Sequence, residues 1–298
     1  MCGIVGLFLK DKKLEPQLGA MLSTMLGTMC ERGPDSAGFA VYGAPSNGKT
    51  KITLQSPSPA KDFAGVVAAV KKETGVDATL AVKSTHAVLT VPSEKADAVT
   101  EMLRAKLPAV RIMGVGETIE IYKEVGYPTD VAKQFDLAHM SGSHAIGHTR
   151  MATESAVTTL GAHPFSTGPD QCLVHNGSLS NHNSVRRQLK RDGMTFETEN
   201  DTEVAAAYLT WRMKQGLNLG EALHKSLDDL DGFFNFVVGT KNGFGVIRDP
   251  IACKPAVMAE TDDYVAFGSE YRALVNLPGF EKARVWEPEP STVYFWER

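Results

Sequence analysis

Apolar positions along the chain follow two periods, and their alternation lays out the elements. Gly3–Leu9 is an unbroken apolar run of strand length, suited to a buried strand. From about Pro16 to Cys30, Leu18, Met21, Leu22, Met25, Leu26 and Met29 recur at helical spacing and predict a Met-rich buried stripe. The Gly33-Pro34 pair then halts regular structure before a strand at Gly38–Tyr42. Gly43–Ala60, rich in Pro, Ser, Gly and Asn, reads as a loop. Residues 62–127 behave as a unit of their own. Helices are expected at Ala64–Thr74 and from Ser93 to Leu107, with strands at Ala78–Val82, His86–Val91, Val110–Met113 and Ile119–Val125. That alternation suggests a small α+β insertion. Its Gly114-Val115-Gly116 lacks the third glycine and the strand–helix context of a dinucleotide loop and reads as a turn.

Beyond the insertion, Ala145–Thr149 has strand character, and the short strand Leu173-Val174-His175 meets Asn176-Gly177, the strongest turn dipeptide. Helices are predicted at about Asn183–Asp192, Asp201–Gln215 and Leu219–Leu230. The second carries Val204, Ala207, Tyr208 and Trp211 on one face behind an Asp-Thr cap. Strands at Phe233–Gly239, Gly243–Arg248, Ala256–Glu260 and Tyr264–Gly268 follow.

Composition narrows the function classes. A net charge of -4 leaves no basic surface for general nucleic-acid or membrane binding, so neither partner is expected. The basic stretch Arg186 to Arg191 reads as a solvated helix face. No run approaches transmembrane length, and the apolar segment at Ile4–Leu9 is too short for a secretory signal. The four cysteines are scattered without a CxxC pair, which points to a reducing, cytoplasmic setting. Cys30, Cys172 and Cys253 are expected in the core. His144 and His148 have ligand spacing but no third partner in their motif, so no metal is expected.

Cys2 is different, because removal of Met1 would make it the N-terminal residue. It would then carry a thiol nucleophile and an α-amine titrating near ~7.7–8.0, a built-in base. The competing reading is a small apolar residue opening a buried strand. Five segments decide between them: Cys2-Gly3-Ile4-Val5-Gly6, Arg32-Gly33-Pro34-Asp35-Ser36-Ala37-Gly38, Gly147-His148-Thr149-Arg150-Met151-Ala152-Thr153, Val174-His175-Asn176-Gly177 and Asn200-Asp201-Thr202-Glu203. In this order the chain resembles the class II glutamine amidotransferase domain, a cysteine branch of the N-terminal-nucleophile hydrolases. The resemblance covers residues 1–43 and about 141–270.

The resemblance implies an α+β fold over residues 1–298, a four-layer αββα sandwich bearing the 62–127 insertion. It also implies roles. Cys2 would attack the glutamine amide, and Asn176 with the Gly177 N–H would hold the oxyanion. Arg150 would grip the substrate α-carboxylate through its planar fork, and Asp201 would accept from the α-ammonium. Thr153 and His163 match further positions around the substrate, although a loop hydroxyl and a satisfied core histidine read equally well. Arg32 would orient the loop of the nucleophile. Glu154 stands where some relatives carry histidine, which leaves the contacts there open.

The insertion resembles the stand-alone amidotransferase subunit of glutamate-synthase-like complexes, the N-methylglutamate synthase type included. On that resemblance the chain itself needs no cofactor. Its ammonia would go to a synthase subunit carrying FMN and iron–sulfur clusters, within a hetero-oligomer. Two other readings stay open: a free-standing amidase of the same hydrolase class, and a non-catalytic glutamine-binding or assembly subunit.

Overall fold

The computed structural model describes residues 1–152 and 156–298. Two antiparallel sheets stack face to face. The first has the strand order Arg284–Trp286, Val257–Glu260, Tyr264–Gly268, Gly3–Leu9, His144–Arg150, Ser36–Tyr42 and Ile119–Val125. The second runs Thr292–Glu297, Gly243–Arg248, Gly232–Gly239, Gln171–Leu179 and Phe165–Gly168. Alternation along each strand explains the layering. Ile4 and Phe8 point into the space between the sheets, where they join Ile146, Val174, Val237, Phe244 and Val246. Val5, Leu7 and Leu9 point the other way, onto the stripe of Leu22, Met25 and Leu26 in the helix Leu18–Gly27.

The second sheet does the same on its outer face. Leu173, Leu179, Phe234 and Phe236 pack beneath the helices Asp201–Lys214 and Leu219–Asp229. The order helix, sheet, sheet, helix is the αββα sandwich. The inner strands of both central sheets, such as Gly3–Leu9 and Gly232–Gly239, are therefore covered on two sides, which is why they read as apolar runs rather than as alternation.

A third sheet, Thr79–Lys83, His86–Pro92, Lys49–Gln55 and Arg111–Gly116, is roofed by the helices Val66–Thr74 and Ala96–Lys106. Its membership differs from the 62–127 unit at both ends. Lys49–Gln55 is one of its two inner strands, although the flanking Pro, Ser and Gly residues make the whole region read as loop. Ile52 and Leu54 are fully buried there. Ile119–Val125 instead pairs with Ser36–Tyr42 in the seven-stranded sheet.

Five further expectations are corrected. Gly114-Val115-Gly116 continues a strand rather than turning. Asn176-Gly177 lies inside the strand Gln171–Leu179, paired with Asn235 and Phe234, so it closes no hairpin. Cys253 is exposed, in a loop beyond Arg248. Arg186 is buried rather than solvated. The helix expected from Pro16 begins instead with a 3₁₀ turn at Lys12–Gln17.

Burial also leaves a titration signature. His86, His144 and His148 are buried, and loss of hydration, the largest cause in each, pushes their pKa values down to about 3. The unfolded chain therefore takes up protons near pH ~6.5 that the folded chain refuses, so acid favours unfolding. Stability should fall as pH drops below ~6.5, by up to ~1.4 kcal/mol per pH unit for each histidine, until the folded values are reached. Chemical denaturation at about pH 7.5 and 5.5 checks this: the midpoint is expected to be lower at the acid pH, and an equal or higher one contradicts it.

Candidate functional site

Cys2 sits where the central strand of the first sheet begins, and its backbone is fixed from three directions. Gly3 pairs with Thr149 on the neighbouring strand, and Ile4 N–H donates to Ser269 Oγ at 2.9 Å. The Cys2 carbonyl oxygen accepts from Arg32 Nε at 3.0 Å and from Asn176 Nδ2 at 2.9 Å. Arg32 is held in turn by Glu270 at 2.7 Å. Its loop lies flat on the end of the neighbouring strand. Asp35 N–H donates to the Arg150 carbonyl at 3.1 Å, and Asp35 Oδ2 accepts from Ala152 N–H at 2.8 Å. Gly33 permits this approach, since a Cβ there would lie 2.4 Å from the Thr149 carbonyl carbon.

Asn176 comes from the other sheet. Along Gln171–Leu179, Cys172 and Val174 face the intersheet core, and Asn176 continues that face to the rim. His175 faces the opposite way, toward the helix Asp201–Lys214. Gly177 has φ +148°, and a Cβ there would lie 1.9 Å from the Phe233 carbonyl oxygen, so only glycine fits.

The helix start supplies the far wall. Asn200 caps it by accepting from Thr202 N–H at 2.9 Å. Asp201 Oδ2 accepts from Leu179 N–H at 3.0 Å, and His175 Nδ1 lies 3.7 Å from Oδ1. Burial works to raise the Asp201 pKa, but His175 and the Leu179 N–H outweigh it and hold the value at about 2. The positive end of the helix dipole adds to that preference. Asp201 is thus an anion throughout the neutral range.

A cleft of about 740 Å³ opens between these elements. Cys2, Arg150, His163, Asn176, Gly177 and Asp201 all line it. Arg150 is buried, with Nη1 3.4 Å from the Ala156 carbonyl oxygen. Arg32 stands behind Cys2 rather than in the cleft lining. Thr153 lies outside the described residues, as does Glu154. His163 Nε2 is 2.8 Å from Thr202 Oγ1, and its ring stacks on His148 at 4.0 Å between centroids. Loss of hydration drives the His163 pKa well below its ordinary value, so the ring is neutral.

Cys2 Sγ lies 3.8 Å from the Met151 carbonyl oxygen, and none of the described hydrogen bonds joins it to a histidine. Met1 is largely exposed, at 64%, with its terminal nitrogen 3.1 Å from Met151 Sδ. Among the described residues no group of His, Cys, Asp or Glu is placed to hold a metal. No helix among them is long and apolar enough to cross a membrane.

Comparison with known proteins places the chain in a family. A family described as "Glutamine amidotransferase domain" matches residues 135–290. "Glutamine amidotransferase-like protein GlxB" of Rhizobium meliloti is 69% identical over 297 residues, covering 100% of this chain and 98% of its own. The chain belongs to the glutamine amidotransferase family. Another relative, from Methanothermobacter thermautotrophicus and also bearing a glutamine amidotransferase name, is 35% identical over 306 residues and covers 99% of both chains. The fold agrees with that of glutamine phosphoribosylpyrophosphate amidotransferase from B. subtilis, with a TM-score of 0.63 at 20% identity. That alignment covers 99% of this chain and 47% of the other, so the amidotransferase fold here spans about half the length of that structural relative.

Within this amidotransferase fold, three contributors escape the sequence pattern. Thr202 joins His163 and His175, bonding the second at 3.0 Å, and so ties the helix start to both strand ends. Glu203 accepts from the N–H groups of Glu197 and Thr198, at 2.7 and 2.8 Å, and closes the loop before the helix. Arg186 donates to the carbonyls of Thr198 at 2.7 Å and Asn200 at 3.2 Å, bracing the residues that precede Asp201. Thr202 and Glu203 belong to a quoted motif and could have been flagged by it. Arg186 gave no signal, because a charge run on a helix normally faces water.

Arg186→Ala should cost about 1–3 kcal/mol, since it strands two carbonyls and leaves Glu199 unpaired. The exposed neighbour Arg187→Ala should stay within about 0.5 kcal/mol. Denaturant unfolding of both variants checks the contrast, and equal stabilities would contradict the bracing role.

Proposed function

We propose that this chain hydrolyses glutamine to glutamate and ammonia through Cys2 after removal of Met1. The observation that carries the reading is the Asn176 Nδ2 bond to the Cys2 carbonyl at 2.9 Å. It puts an amide donor from one sheet beside the start of the other, in a cleft that also holds a buried arginine and a permanent carboxylate. Arg150 would take the substrate α-carboxylate, and Asp201 the α-ammonium. A neutral amide side chain would then extend toward Cys2.

The chemistry follows from what the cleft lacks as well as what it holds. None of the described hydrogen bonds joins the thiol to a histidine, and the freed α-amine of Cys2 would serve as the base. The amine takes the thiol proton and the sulfur attacks the amide carbon. The resulting oxyanion is held by Asn176 and the Gly177 N–H. Collapse breaks the C–N bond, and the protonated amine gives its proton to the leaving ammonia. Water then adds to the thioester, passes its proton to the amine, and releases glutamate with the thiol restored. His163 would shape the cleft as a neutral packing group. Thr153 is proposed as a substrate contact on the resemblance alone, and Arg32 as the residue that positions Cys2.

The ammonia acceptor is proposed to bind a separate synthase subunit of the glutamate-synthase-like type, which would carry FMN and iron–sulfur clusters. This chain would need no cofactor and would work in the cytoplasm as part of a hetero-oligomer. Co-purification from the native source tests the partnership. Recovery of a lone chain with full glutaminase activity would count against it.

Intact-mass measurement on active protein is expected to show loss of one methionine. In the processed enzyme, Cys2→Ala should lower glutaminase kcat by at least about 10³-fold while leaving the denaturation midpoint unchanged. Full activity with Met1 attached, or near-normal turnover without the thiol, would contradict the mechanism.

A further inference from the structure

Lys123 lies in Ile119–Val125, an edge strand of the seven-stranded sheet, and is only 4% exposed. A buried ammonium needs dipoles in place of the water it has lost. Lys123 Nζ finds three, donating to the carbonyl oxygens of Leu160 at 3.2 Å, Ala162 at 2.8 Å and Pro164 at 3.2 Å. It also lies over the Phe165 ring, 4.4 Å from the centroid. Loss of hydration pushes its pKa down to about 8 against the opposing pull of the Glu203 and Glu197 carboxylates, so it is still mainly a cation at neutral pH.

The three acceptors are alternate residues of one segment, Thr158–Pro164. The residues between them, Gly161 and His163, line the glutamine cleft, as does Thr158. The segment also lies against Arg150: a Cβ at Gly161 would be 3.3 Å from Arg150 Nη1. Room for the arrangement comes from Gly38, which pairs with Lys123 across the sheet. A Cβ at Gly38 would lie 2.2 Å from the His163 carbonyl oxygen and 2.4 Å from Lys123 Cβ. The next residue of the strand, Glu124, accepts from the Thr159 hydroxyl of the same segment and from the Thr85 hydroxyl at 2.7 Å. Thr85 belongs to the turn that joins Thr79–Lys83 to His86–Pro92 in the inserted sheet. One carboxylate therefore links the insertion to the cleft wall.

We propose that Lys123 and Glu124 are positioning residues for substrate binding, and that the inserted sheet braces the cleft wall Thr158–Pro164 through Glu124. Neither residue lines the cleft. Each acts on the wall, and the wall sets where Arg150 and His163 stand. Gripping a carboxylate depends on the placement of the guanidinium fork. A loosened wall therefore weakens glutamine binding more than it slows the chemistry at Cys2. The substrate role rests on the glutaminase reading, whereas the bracing rests on the hydrogen bonds alone.

Two measurements on the full chain test it, using Lys123→Met, Glu124→Ala and Thr85→Val. Glu124 and Thr85 are only half-buried, so their variants should fold even where Lys123→Met does not, as circular dichroism would verify. Amide exchange followed by mass spectrometry reads the peptide containing Gly161 and Ala162, whose N–H groups bond to Thr158. Exchange there should quicken at least about tenfold in Glu124→Ala and about threefold in Thr85→Val, with the strand His144–Arg150 unchanged. In glutaminase kinetics, KM should rise at least about fivefold in Lys123→Met and Glu124→Ala, with kcat held within about threefold. Unchanged exchange in Glu124→Ala overturns the bracing, and unchanged exchange in Thr85→Val overturns the part given to the inserted sheet. A fall in kcat at unaltered KM, or no change in either, overturns the positioning role. An unaltered chain that hydrolyses no glutamine contradicts the proposed function and the substrate role with it, while exchange still decides the bracing, so the two readings fail separately.

Discussion

The carbonyl oxygen of Cys2 is the junction on which the site depends. It accepts from Arg32 on the loop after the first helix and from Asn176 on the second sheet. One acceptor thus ties together the chain terminus, the first sheet and the second. Two hydrogen bonds of this kind contribute only a few kcal/mol between them. Their larger effect is positional, because the first residues of a chain are ordinarily its least ordered part. Here strand pairing to Thr149 and the Ser269 hydroxyl add to the restraint, and the thiol is presented at a defined place on the rim of the sandwich.

The surrounding polar groups are buried at a cost that the network partly offsets. His148, His163 and His175 meet near Thr202, and each keeps one ring nitrogen without a described partner. Dehydration keeps His148 and His163 uncharged, which removes competing positive charge from a cleft that already holds Arg150. Asp201 is treated oppositely: hydrogen bonds preserve its charge against burial. Cleft chemistry is therefore set by which buried groups receive donors and which do not.

Much of this was legible in the sequence, for physical reasons that vary from place to place. Strands covered on both faces give long apolar runs, so Gly3–Leu9 and Phe233–Gly239 stand out. Lys49–Gln55 did not, because its polar outer positions and glycine- and serine-rich flanks imitate a loop. Asn176-Gly177 was read as a turn, and its geometry differs. The pair is a strand with φ +148° at glycine, not a turn, since the neighbouring Phe233 carbonyl excludes any side chain there. Arg186 and Glu270 act through backbone carbonyls and a distant arginine, contacts that leave no local pattern.

The central claim is that Asn176 and Cys2 form one catalytic unit across the two sheets, and the most direct measurement is steady-state glutaminase kinetics of Asn176→Ala in the processed enzyme. In the proposed mechanism Asn176 acts on the oxyanion rather than on ground-state glutamine. The account therefore predicts a kcat about 10²–10³-fold lower with KM changed only a few-fold. A kcat near that of the unaltered enzyme, or a loss confined to KM, would contradict it.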